Sequence, residues 1–97
     1  METRTASYTV TPADIANGCR SISDCCPHAL AIRRDLRAAS VAVGVATAHV
    51  RGSELLPDGS YHLPLHATAW IVEFDAGRPV EPITVALSTD RAHNVVA

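Results

Sequence analysis

Tyr8-Thr9-Val10-Thr11-Pro12-Ala13-Asp14-Ile15-Ala16-Asn17-Gly18 changes its periodicity partway along, and that change decides the fold class. Tyr8 to Thr11 alternates and is aromatic or β-branched, so it predicts a first strand with Tyr8 and Val10 facing inward. Thr11 then offers a hydroxyl as a helix cap, Pro12 suits the first helical position, Asp14 completes a capping-box spacing, and Asn17-Gly18 stops the helix. A strand feeding straight into a short helix over Pro12–Asn17 is therefore expected.

Gly18 to Cys25 is a polar turn, and Cys25-Cys26-Pro27 marks the start of a second helix running to about Arg37. At 100° per residue, Ala29, Ile32 and Leu36 share the sector that should meet the core, while Leu30, Arg33, Arg34 and Arg37 lie together on the other side. Ser40 to Val50 reads as strand with Val41, Val43 and Val45 inward, a bend near Gly44 to Ala46, and a second strand beyond it. Pro57-Asp58-Gly59 is a turn signal, so Thr47–Arg51 and Ser60–Leu63 should form a hairpin with a long loop. Pro64 opens a third helix that Gly77 closes. Ala67, Trp70, Ile71 and Phe74 form its core face; Leu65, Ala69, Val72 and Ala76 form a second stripe of smaller residues, read as a seam for a homodimer. Ile83, Val85 and Leu87 alternate as a last strand, with a polar tail after Ser88.

The predicted architecture is a single α+β domain with its ordered core at about residues 7–88 and a tail over 89–97. Four or five mostly antiparallel strands carry two main helices on one face, a βαββαβ-like plan of the ferredoxin-like kind, with the short helix after the first strand. Ninety-seven residues suffice for one core and leave no room for a second domain.

A formal net charge of -2 argues against general nucleic-acid binding, whose affinity rests on neutralising phosphates. All 8 basic residues are Arg, a bias that a GC-rich coding genome explains. The weakly polar run Ala38–Val50 is shorter than the ~20 apolar residues a membrane span needs, so no membrane association is expected. Three cysteines cannot all pair within one chain, and Met1-Glu2-Thr3-Arg4 lacks the basic-then-apolar pattern of a secretory signal, so a cytoplasmic protein with reduced thiols is expected.

Three segments together resemble a family of small uncharacterised proteins of tailed phages and of actinobacterial, prophage-bearing genomes. They are Val10-Thr11-Pro12-Ala13-Asp14-Ile15-Ala16-Asn17-Gly18, Cys26-Pro27-His28-Ala29-Leu30-Ala31-Ile32 and Phe74-Asp75-Ala76-Gly77-Arg78-Pro79-Val80-Glu81-Pro82-Ile83. The chain departs from that pattern at Asp14, where the family more often has His, at His28, where Ile or Val is usual, and at Ile83, which stands for Phe. The second departure suggests a more exposed position 28. No activity carries over; the resemblance implies a small accessory protein of phage origin, a context in which such chains bind and neutralise a host component.

The candidate sites centre on the junction before the second helix. Arg20, Ser21, Ser23, Cys26 and His28, with the helix N–H groups, could gather around a phosphorylated ligand. Cys19, Cys25, Cys26 and His28 could in principle ligate zinc, but adjacent cysteines are awkward joint ligands and no second C-x-x-C pair is present. Cys26 as a nucleophile would need His28, His62 or His66 as base, and nothing in the spacing unites them. Glu73 and Asp75 face different ways on a helix, Asp24 reads as a cap, and Gly44, Gly52 and Gly59 are singletons rather than a phosphate loop.

No catalytic residue, metal or cofactor is therefore assigned. The leading expectation is a non-enzymatic binding protein, a phage-type accessory or anti-defence inhibitor that binds a host factor through Leu30, Arg33, Arg34 and Arg37. The alternative is sequestration of a phosphorylated or nucleotide small molecule at the turn before the second helix, and the second alternative is a thiol- or zinc-dependent enzyme.

Overall fold

A computed structural model describes residues 5–44 and 46–88. The elements run β1 (Thr5–Val10), α1 (Pro12–Asn17), α2 (Pro27–Asp35), β2 (Ser40–Val43), β3 (Thr47–Arg51), β4 (Gly59–His62), α3 (Leu65–Asp75) and β5 (Ile83–Ser88). The class is α+β, and every sheet pairing is antiparallel among the described residues.

The strands divide into two sheets rather than forming the expected one. β1 pairs with β5, placing Tyr8 opposite Val85 and Val10 opposite Ile83, and β2-β3-β4 form a meander. β4 lies against β5 without a shared ladder. It is only 4 residues long and runs towards Pro64, which has no N–H to donate.

The core lies where the two sheets and the helices converge. Period-two burial brings in Tyr8, Val10, Val41, Val43, Ala48, Val50, Tyr61, Val85 and Leu87. α2 contributes Ala29, Ile32 and Leu36 as expected, together with Ala31 and His28, and packs against both β1 and β2. α3 contributes Ala67, Trp70, Ile71 and Phe74. Trp70 and Phe74 stack at 5.6 Å, and the indole Nε1 donates to the Glu81 carbonyl at 2.6 Å, tying α3 to the segment that leads into β5.

Two boundaries have clear local causes. The capping box is complete, with Asp14 N–H donating to Thr11 Oγ1 at 3.2 Å and Thr11 N–H to Asp14 Oδ2 at 2.9 Å. α2 stops at Asp35, short of the expected Arg37, because Arg37 takes a φ of 52° and the Ala38 N–H folds back to the Arg33 carbonyl. Val45, expected to face inward, and the tail over 89–97 lie outside the described residues.

Candidate functional site

The junction between α1 and α2 is stitched on all sides. A Cβ at Gly18 would come within 2.5 Å of the Pro27 ring, so only glycine lets the end of α1 lie against the start of α2. The expectation of three reduced thiols is overturned here: Cys19 and Cys25 are joined in a disulfide, and the Cys19 N–H donates to the Cys25 carbonyl at 2.8 Å. Sequence spacing could not select this pair, because the fold alone brings their Cα atoms to 5.2 Å. Within the loop, Ser21 takes a φ of 57° and donates its N–H to Asp75 Oδ1 of α3 at 2.9 Å, while the Ser23 carbonyl accepts from Val43 N–H at 2.8 Å. The turn is thereby fastened to both α3 and β2.

Cys26 is the N-cap of α2, its sulfur accepting from Ala29 N–H at 3.4 Å. Burial pushes its thiol pKa up, outweighing the opposing backbone hydrogen bonds, so it is a capping thiol rather than an activated thiolate.

His28 lies inside the core instead of being exposed. It is 0% accessible, hydrogen-bonded through Nδ1 to the Tyr8 hydroxyl at 2.8 Å, and set edge-to-face against Trp70 at 4.8 Å. Burial, aided by nearby His66, lowers its pKa to about 4, so the ring is neutral at pH 7. Its Nε2 has no hydrogen-bond partner among the described residues. His28 therefore does not reach the turn it was expected to serve. Tyr8 is shifted upward by the same burial and by the neighbouring Cys26.

The basic face of α2 is engaged internally. Arg34 Nη1 bonds both carboxylate oxygens of buried Asp14, at 2.8 and 3.0 Å, and its Nη2 donates to the Thr9 carbonyl at 2.8 Å. Asp35 accepts from Arg34 Nε and Thr9 N–H, both at 2.8 Å, and the Arg34 guanidinium holds its carboxyl below the usual range. Together these two side chains close the outer edge of β1 at Thr9, the position an added strand would use. Arg33 donates to the Asp24 carbonyl, Arg37 pairs with Glu54 at 3.2 Å, and Leu30 is half-buried. The Arg20 guanidinium lies over Gly77, beyond the end of α3.

Two concavities stand out among the described residues. One, of about 350 Å³, lies between the disulfide turn and α3, lined by Ser21, Ile22, Ser23, Cys26, Val43, Gly44, Ile71 and Asp75. It contains Ser21, Ser23 and Cys26 of the expected ligand site but neither Arg20 nor His28, and its charged lining residue is a carboxylate. The other, of about 490 Å³, lies on the outer face of the β3–β4 hairpin, where the register places His49 opposite Ser60 and their side chains meet at 2.6 Å. The sequence reading missed that pair because register depends on how the long loop closes. Gly52 N–H bonds Asp58 Oδ1 at 2.9 Å, Ser53 Oγ bonds the Leu36 carbonyl at 2.7 Å, and Leu56 is buried.

The second stripe of α3 is solvent-facing along its length: Leu65, Ala69, Val72 and Ala76 are all exposed. Among the described residues no group of three or more potential metal ligands converges, and no helix is long and apolar enough to cross a membrane. No protein-family model matches the chain, and neither curated proteins nor solved structures give a significant match.

Proposed function

We propose that this chain is a small non-enzymatic binding protein that acts by covering a surface of another protein, with the outer stripe of α3 as its contact. The observation carrying this reading is that Leu65 is 84% and Val72 48% exposed on a helix whose opposite face already fills the core. Covering a fully exposed Leu or Val side chain contributes roughly 1.5–3 kcal/mol, about half of that for half-exposed Val72, and the neighbouring Ala69 and Ala76 let a facing helix approach closely. Arg33, Arg34 and Arg37 each hold a partner within the chain, which in this reading favours α3 over α2 as the contact. The resemblance to phage-borne accessory proteins supports a host factor as the partner and anti-defence inhibition as the role; a second copy of the chain is the other occupant that the stripe suits.

Affinity capture from host lysate with wild type, Leu65→Glu/Val72→Glu and Arg37→Glu, run beside light scattering, tests this reading. Both stripe residues are exposed, so the double variant should melt like wild type yet lose the captured protein, while Arg37→Glu retains it. A concentration-dependent dimer abolished by Ala69→Glu would identify the second copy as the occupant. Capture unchanged by the stripe variant, from a chain that is monomeric at high concentration, would refute the proposal.

A further inference from the structure

The cleft between the disulfide turn and α3 has a composition unlike that of an anion site. Ile22, Val43 and Ile71 supply apolar walls, Ser21 and Ser23 border it, and Asp75 is its charged lining residue. Asp75 stands in the last turn of α3, which holds no basic residue. Among the described residues its hydrogen-bond partner is the neutral Ser21 N–H, and it joins no ion pair. The Arg20 guanidinium lies beside Gly77, outside the lining. A carboxylate that joins no described ion pair thus borders one half-enclosed apolar space, which disfavours anions and favours a cation with an aliphatic stem.

We infer that this cleft binds a small aliphatic cation, an ammonium or guanidinium compound whose head lies against Asp75 and whose stem lies along Ile22, Val43 and Ile71. The volume of about 350 Å³ is at the small end of the roughly 300–1,000 Å³ typical of ligand pockets, which suits a short chain. The inference concerns a different surface from the outer stripe of α3 and stands or falls separately from it.

Calorimetry of the full chain at low salt with n-butylammonium, n-butylguanidinium, n-butanol and butyrate is the test. Saturable binding is expected for the two cations, weaker binding for butanol and none for butyrate. Asp75→Asn keeps an amide oxygen to accept the Ser21 N–H while removing the charge, and should weaken the cations by roughly ten-fold or more. Gly44→Leu adds bulk to the cleft wall where, among the described residues, a Cβ meets only the Thr47 carbonyl, at 3.8 Å, so it should fold normally and block binding. Absence of saturable heat with either cation, butyrate binding as tightly as butylammonium, or cation binding that survives both variants would overturn the assignment. Tighter binding of a blocked tripeptide containing lysine than of butylammonium would overturn the small-molecule assignment in favour of a polypeptide side chain.

Discussion

Replacing the buried Tyr8–His28 pair by Phe and Leu should remove most of the pH dependence of stability between neutrality and pH 4. His28 is fully enclosed, its Nδ1 bonded to Tyr8 and its Nε2 without a partner among the described residues, so the folded chain admits a neutral ring and excludes the imidazolium. Its pKa is about 4 when folded, against an ordinary 6.5. Above pH 6.5 the ring is neutral in both states and its contribution is complete. As the pH falls through that value the unfolded chain takes up a proton that the folded chain refuses, and stability declines until the folded value is passed. Linkage puts the loss at about 2 kcal/mol by pH 5 and about 3 kcal/mol by pH 4, a large part of the total for a domain of this size. Asp35, held low by Arg34, adds its loss only below the ordinary carboxylate value of 3.8, beneath this window.

The double change is needed because His28→Leu alone would strand the Tyr8 hydroxyl, whereas exchanging both partners for apolar groups of similar shape can be nearly neutral. Urea melts of wild type and Tyr8→Phe/His28→Leu at pH 7, 6, 5 and 4.5 supply the measurement. The stability difference between the two proteins should swing towards the variant by about 2 kcal/mol from pH 7 to pH 5. A difference constant across that range would show that His28 is not held neutral in the folded state, and the placement of α2 against β1 and α3 would have to be revised.

Three further outcomes follow from the packing. Phe74→Ala, which empties a buried site stacked on Trp70, should cost roughly 3–5 kcal/mol in a denaturant melt, and a loss under about 1 kcal/mol would mean that the other face of α3 is inward. Arg37→Gly should raise stability by about 0.5–1 kcal/mol, because relief at φ 52° exceeds the loss of an exposed pair with Glu54; a lower melting temperature would refute that ordering. Cys19→Ser/Cys25→Ser opens a loop of sequence separation 6 and should cost about 2 kcal/mol by the chain-entropy argument, while melts unchanged by the substitution or by reductant would remove the disulfide from the stability of the turn.

The parts of this fold legible in the sequence are those set by neighbours along the chain. α1 begins and ends where Thr11, Pro12, Asp14 and Gly18 place it, because a capping box, a fixed proline φ and a stop act within a few residues. The inward faces of β1, β5 and α3 were readable for a related reason, since period two and period 3.6 project side chains to defined sides whatever lies opposite. Tertiary structure alone decided the rest. His28 is polar, and only the arrival of Tyr8 and Trp70 from distant segments makes it a core residue; Arg34 becomes a clamp on β1 only because α1 sets Asp14 beside it; the Cys19–Cys25 bond and the His49–Ser60 contact depend on loop closure and register. The division into two sheets and the charge of the cleft have the same origin, because both depend on which groups the packed chain sets side by side, and a carboxylate from the end of α3 stands where the local sequence around Arg20 had suggested a site for anions.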